Sequence, residues 1–261
     1  MRPILFQLGS FAIPSFFFML MVASLVASFY GAWRAEKAGK DPVVVLDLAI
    51  ITTIACVLGG RLFHVIVEAP SYYLENPWRI LHVWEGGFVS IGAILMSAVA
   101  WFVYLRWRKR NFLEYVDVTI LAVPIVFFFV RVGCLLVGCC YGKPTDFFFH
   151  LTFTNPGSTA YYFHPNEPLH ATQIYLMLKA VILFVVLELV YRRRRFDGQT
   201  AAIFLMLYAI MRSTIELLRG DADRMLYFND MISTAQLASI AFFVLGLVVW
   251  GYGSRRHRLA S

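Results

Sequence analysis

Charge is scarce in this sequence. Of its 261 residues only 15% are Asp, Glu, Lys or Arg and 60% are hydrophobic, whereas an ordinary soluble domain carries roughly 25% charged residues. That deficit excludes a water-soluble globule. No stretch leaves room for a separate soluble domain, so residues 1–261 read as a single transmembrane domain. No internal repeat is evident, which counts against the transporter architectures built from inverted halves. The four cysteines contain no C-x2-C pair, the usual zinc-ligand spacing, and neither a metal nor another cofactor is expected.

What is present is apolar length. Crossing the hydrocarbon core takes about 20 mostly apolar residues, and such runs occur at Phe11–Trp33, Val44–Val67, Gly86–Leu105, Tyr115–Val137, Ala171–Tyr191, Thr200–Leu218 and Ser233–Tyr252. The expected fold is an all-α integral membrane protein of seven transmembrane helices. The first run is too long for the core of a signal peptide and is followed by Arg34, Lys37 and Lys40, which oppose translocation, so it is read as a span. Basic residues also follow spans three (Arg106, Arg108, Lys109, Arg110), five (Arg192–Arg195) and seven (Arg255, Arg256, Arg258). By the positive-inside rule those ends face the cytoplasm, leaving the N-terminus outside and the C-terminus inside. The net charge of +7 is thus topological and gives no argument for nucleic acid. Tyr141–Leu169, with a turn signal at Asn155-Pro156-Gly157, reads as a small external head between spans four and five.

Against this background the buried charges carry information. Arg61, Arg131, Lys179 and Arg212 fall within spans, as do Asp47, Asp117, Glu188 and Glu216. Each costs about 2.5–3.5 kcal/mol at a helix centre on the insertion scale, which makes such residues functional candidates. Arg61, Arg131 and Arg212 each lie roughly 20–26 Å along spans that run outward, at 1.5 Å per residue. Glu216 and Arg219 follow Arg212 on one helical face. Glu85, His170, Gln173 and Tyr175 belong to the same outer level. A cationic cluster at headgroup depth suits a phosphate, which guanidinium pairs bidentately, and an anionic phospholipid of the outer leaflet is the expected ligand. The plainer reading is a buried structural Arg212–Glu216 pair with Arg61 snorkelling outward.

Six stretches, in order, resemble the prolipoprotein diacylglyceryl transferase family. They are VLDLAIITTIACVLGGRLFHV (Val45–Val65), NPWRILHVWEGGFVSIGA (Asn76–Ala93), RVGCLLVGCCYG (Arg131–Gly142), LHATQIY (Leu169–Tyr175), GQTAAIFLMLYAIMRSTIELLRGD (Gly198–Asp221) and STAQLASI (Ser233–Ile240). The resemblance implies an enzyme of the bacterial inner membrane that faces the outer leaflet. It would move the diacylglyceryl group of phosphatidylglycerol onto the lipobox cysteine of a prolipoprotein signal peptide and release glycerol phosphate. Arg131 and Arg212 match the family's two essential arginines and would clamp the phosphate, with Glu216 orienting Arg212. Glu85 and His170 are the candidates for activating the incoming thiol. Arg61, Gly86, Gly87, Gly133, Gly142, Gln173, Tyr175, Arg219 and Gln236 would bind substrate.

The family's polar residues are missing at several positions. Its span-three histidine aligns with Ile91, its span-one tyrosine with Phe16, two asparagines with Cys134 and Val137, and a glutamate with Cys139. Two readings therefore stand side by side. One is a transferase; the other is a relative that binds an anionic phospholipid but uses another acceptor, or serves in lipid binding or transport without catalysis. For Cys134, Cys139 and Cys140 the sequence leaves open a disulfide from Cys134 to either neighbour, a metal site drawing on His150, His164 or His170, a covalent lipid–thiol intermediate, and burial as small apolar residues.

Overall fold

The computed structural model describes residues 2–8, 11–83, 86–221, 226–227 and 232–260. Among the described residues six helices are long and apolar enough to cross a membrane: Ser15–Lys37, Pro42–Glu68, Ser90–Trp107, Phe112–Val137, Thr172–Arg192 and Thr234–Arg258. Between 11% and 33% of each apolar window is buried, so most of the apolar surface faces outward, as lipid rather than water requires. The molecule is a multi-pass, helical membrane protein. Its chain divides into two compact units, residues 31–115, and residues 1–30 with 116–261.

In the larger unit, strands β1 (Ile4–Leu8) and β2 (Phe11–Pro14) pair antiparallel before helix α1 (Ser15–Lys37) begins. The first span therefore starts at Ser15 rather than at the expected Phe11. In the smaller unit, α2 (Pro42–Phe63) opens with Pro42 at its first position and Asp41 as cap, whose side chain accepts from the Val43 N–H at 3.0 Å; both suit a helix start. It packs on α4 (Ser90–Trp107) through Gly59 and Gly92. A Cβ on Gly59 would lie 2.4 Å from the Gly92 carbonyl oxygen, and one on Gly92 would lie 2.3 Å from that of Gly59. Small residues thus let two backbones touch. Beyond α2 the chain widens into a π-turn (His64–Glu68), then forms α3 (Pro70–Glu75) and a 3-10 turn (Pro77–Leu81). The third span consequently begins at Ser90, where Gly86 was expected.

Helix α5 (Phe112–Thr119) passes through a 3-10 turn (Ile120–Ala122) into α6 (Val123–Val137), with Pro124 in its first turn. The head follows: β3 (His150–Thr152), the short α7 (Thr159–Phe163) and β4 (Pro168–His170), with β3 and β4 antiparallel. Its core is Tyr141, Phe153, Ala160 and Leu169. Helices α8 (Thr172–Arg192), α9 (Gln199–Glu216) and α10 (Thr234–Ala260) complete the unit, α6 packing on α8 and α9 on α10. Asp117 is fully buried and accepts from the Gly198 and Ala201 N–H groups, both at 2.9 Å, so this intramembrane carboxylate caps the start of α9. Short strands β5 (Leu226–Tyr227) and β6 (Ile232–Ser233) pair ahead of α10. Helix α9, the expected sixth span, is not among the six apolar helices; its 18 residues include Arg212 and Glu216, which lower its apolarity.

Candidate active site

Two helices of the larger unit supply most of the site. On α6, Phe127, Arg131 and Cys134 recur at i, i+4 and i+7, one helical face. The Arg131 Nη1 lies 3.6 Å from the Cys134 Sγ. Gly133 turns elsewhere, and a Cβ there would be 3.3 Å from both the Cα of Phe16 and the Cβ of Met19. On α9, Tyr208, Arg212 and Glu216 share a face in the same way. Arg212 donates to Glu216, and Arg219 approaches the same carboxylate oxygen at 3.6 Å. Arg219 also donates from Nε to Asp221 at 2.8 Å and from Nη2 to its second oxygen. Glu216 is only 2% exposed, so one buried carboxylate serves two guanidiniums.

Beneath the arginines sits a lysine that the sequence marked as intramembrane without giving it a role. Lys179 of α8 is 4% exposed; its Nζ lies 4.0 Å from the centroid of the Tyr208 ring and 5.4 Å from that of Phe127. Phe127 precedes Arg131 by four residues, and Tyr208 precedes Arg212 by four. The aromatic cage is therefore one helical turn below the two guanidiniums. Among the described residues no carboxylate lies within 4 Å of Arg131 or Lys179.

Gly138 ends α6 in the left-handed region, at φ 76°. Its N–H and that of Cys139 both donate to the Cys134 carbonyl, at 2.8 and 3.1 Å, which folds residues 139–140 back over Cys134. The three thiol sulfurs of Cys134, Cys139 and Cys140 lie within 4.8 Å of one another. From α8, Thr172 donates to the Cys140 carbonyl at 2.8 Å and Gln173 to that of Cys139 at 2.9 Å. Hydrogen bonds from Cys134 and Cys139, joined by the charges of Arg131 and Arg219, outweigh burial and hold the Cys140 thiol well below its ordinary range. Cys139 is pushed up by the same thiol contacts and by burial.

The next residues are threaded between two neighbours. Lys143 N–H donates to Leu218 at 2.9 Å and Gly220 N–H to Tyr141 at 3.1 Å, while His170 N–H donates to Lys143 at 3.0 Å and Thr145 N–H to Pro168 at 3.0 Å. Gly142 permits this, since a Cβ there would be 2.4 Å from the Cβ of His170. Tyr175 donates to the Phe149 carbonyl at 3.2 Å. Among the described residues the buried His170 Nδ1 and Gln173 Oε1 have no hydrogen-bond partner. His170 and Tyr175 line an open cleft of about 390 Å³ together with Phe147, Thr214, Ile215 and Leu218.

Arg61, Gly86 and Gly87 belong to the smaller unit. Arg61 is 5% exposed and donates to the carbonyls of Ile80 (3.1 Å), His82 (3.2 Å), Arg79 and Gly86. Four of its five N–H donors thus hold the loop instead of meeting solvent. Gly87, at φ 75°, would place a Cβ 2.7 Å from the His64 ring. Glu85 lies outside the described residues. Gln236, expected to bind substrate, caps a helix: its Oε1 accepts from the Ser233 N–H at 2.9 Å, and the Ser233 Oγ from the Gln236 N–H at 3.3 Å.

A family model for prolipoprotein diacylglyceryl transferase matches residues 3–252. The chain belongs to the prolipoprotein diacylglyceryl transferase family. Similar proteins include the phosphatidylglycerol–prolipoprotein diacylglyceryl transferase of Clostridium tetani, 32% identical over 251 residues that cover 96% of this chain and 97% of the relative. The transferase of the same name from Symbiobacterium thermophilum is 31% identical over 257 residues, 97% and 93% of the two chains. That of Cupriavidus metallidurans is 29% identical over 258 residues, 96% and 93%. The positions expected from the resemblance to depart from the family's polar pattern are apolar or sulfur-bearing. Ile91 on α4 is 45% exposed, Phe16 packs by Gly133, and Cys134 and Cys139 belong to the thiol cluster. Lys179, Thr172, Gly220 and Asp221 join the site without having been assigned to it from sequence. Of these only Lys179 announced itself, as a charge inside an apolar run.

Proposed function

We propose that the protein transfers the diacylglyceryl group of phosphatidylglycerol to the lipobox cysteine of prolipoprotein signal peptides, in the bacterial inner membrane and from its outer leaflet. In this reading α9 also crosses the membrane, as the sixth of seven spans, the N-terminus is outside, the C-terminus is cytoplasmic, and residues 1–261 act as one domain. The observation that carries it is the basic cluster of Arg131, Lys179 and Arg212, in which, among the described residues, no carboxylate lies within 4 Å of Arg131 or Lys179. Uncompensated charge at membrane depth calls for an anionic ligand, and the phosphodiester of the lipid supplies it. Arg131 and Arg212 take the phosphate oxygens, Glu216 fixes the Arg212 guanidinium, and Lys179 stands one helical turn below them in its aromatic cage.

The chemistry follows from that placement. The acceptor sulfur attacks the diacylglyceryl carbon bonded to the phosphate ester, the C–O bond breaks, and glycerol phosphate departs with the bonding pair. Negative charge grows on the departing phosphate, where fixed cations lower the barrier most. Arg61 supports the reaction indirectly, by holding the loop that carries Gly86 and Gly87.

The test is mass spectrometry of a lipobox peptide incubated with the purified protein and phosphatidylglycerol. A diacylglyceryl thioether is expected, falling by about 10²–10³-fold in Arg131→Ala and Arg212→Ala, as for loss of one preorganised donor to a developing charge. Lipid bound but recovered intact by the unaltered protein would overturn the reading.

A further inference from the structure

The transfer needs a thiolate, because the neutral thiol is the weaker nucleophile. Ile91, aligned with the family's histidine, is hydrocarbon and accepts no proton. Beside Arg131 the chain instead presents three thiols. We propose that Cys134, Cys139 and Cys140 form a tripodal site for a divalent cation of the zinc class, whose open fourth position takes the acceptor thiol as its thiolate. This rests on the transferase reading for the identity of the acceptor.

Geometry supports the tripod. A tetrahedral zinc with Zn–S bonds of about 2.3 Å holds its sulfurs about 3.8 Å apart. The three sulfurs here already lie within 4.8 Å of one another, so closing on an ion takes shifts of about 1 Å, the scale of side-chain rotation. The spacing C-x4-C-C hides this in the sequence. The left-handed turn at Gly138 brings residues 139–140 back over Cys134, so three ligands converge although no C-x2-C pair exists.

The backbone is held for it. Cys140 has φ 59°, a left-handed conformation that is unfavourable for a non-glycine residue and that clusters at functional sites. Glycine would relieve that strain and carry no ligand. Thr172 and Gln173 of α8 fix the carbonyls of Cys140 and Cys139, leaving the thiols to set the local chemistry. Three thiolates also need positive charge nearby. A divalent ion supplies most of it, and Arg131, 3.6 Å from the Cys134 Sγ, adds more.

The ligand count fits a reactive site. Structural zinc sites close with four protein ligands, whereas catalytic ones keep three and leave a position open. Among the described residues the cluster consists of these three side chains. A thiol that coordinates such an ion is deprotonated outright, so the acceptor R–SH becomes metal-bound R–S⁻ and releases its proton to solvent. Its sulfur then forms the new C–S bond as the phosphate C–O bond breaks. Electrons balance with no oxidant, and the tripod is unchanged at the end. Arg131 joins the two halves, since it adjoins Cys134 and also clamps the phosphate.

The experiment uses the full-length protein purified in detergent without chelator. One equivalent of zinc per chain is expected by elemental analysis. Exchange for cobalt should give thiolate-to-metal charge-transfer absorption and intense tetrahedral d–d bands. A lipobox peptide, but not its serine analogue, should shift those d–d bands. Cys134→Ser, Cys139→Ser and Cys140→Ser should each weaken cobalt binding by more than the roughly 10–100-fold typical of losing a hydrogen bond to a ligand. If those variants fail to fold, the metal content and spectrum of the unaltered chain still decide. Absence of bound metal in protein that transfers, or a Cys–Cys disulfide found in fully active protein, would overturn the site and leave the transferase intact. Equal transfer rates with and without metal would overturn it likewise. Cobalt bands that respond to peptide without any thioether formed would support the site and sink the transferase reading.

Discussion

Replacing Glu216 by glutamine would keep its shape and remove the charge shared by Arg212 and Arg219. Breaking a buried ion pair costs about 3–5 kcal/mol because the remaining charge stays desolvated. The variant should melt at a lower temperature in detergent, and inorganic phosphate should recover more of that loss than it adds to the unaltered protein. Equal phosphate effects on both would show that the arginines do not receive an anion there. Sequence alone suggested grouping Arg212, Glu216 and Arg219, because the spacing Arg-x-x-x-Glu-x-x-Arg puts them on one helical face, and suggested Arg131 at the same level from its depth along its span. It could not give the role of Arg61. Its partners are backbone carbonyls of residues 79–86, and carbonyls carry no sequence signal. Gln236 was legible in a different way: Ser233-x-x-Gln236 is a capping box ahead of an apolar run, and the helix start explains it without a substrate.

That cap yields a prediction at the level of the helix. Ser233→Ala and Gln236→Ala should each destabilise α10 by about 0.5–2 kcal/mol, the usual worth of an N-cap, seen as a lower unfolding temperature. Their KM for phosphatidylglycerol should stay unchanged; a rise in KM at normal stability would return Gln236 to the lipid. The crossing of α2 and α4 offers a second test. Gly59→Val puts branched carbon where 2.4 Å separates a modest Cβ from a carbonyl, so the folded yield and melting temperature should both fall sharply. Apolar length located most helices, because a span must be continuous and hydrophobic. It misjudged two starts where polar backbone finds local partners: the β1–β2 hairpin precedes Ser15, and the loop held by Arg61 precedes Ser90. It also could not show that α9 is capped by Asp117, a contact that joins residues far apart in the chain.

For the whole molecule, the distribution of basic residues predicts an orientation. Reporter fusions after Arg110, Arg195 and Arg258 should be active on the cytoplasmic side, and fusions within residues 146–167 on the outer side. The opposite pattern would turn the arginine site toward the cytoplasm and remove secreted prolipoproteins as acceptors. The head also has a history in time. Its backbone closes only when Lys143 bonds to Leu218 and Tyr141 to Gly220, and those partners are made after the whole of α8 and α9. At about 5–20 residues per second of synthesis, the segment bearing Cys139 and Cys140 waits several seconds before its last strand partner exists. During that interval the three thiols are unprotected, so the order of translation, and not only the finished fold, decides whether they enter the folded site reduced.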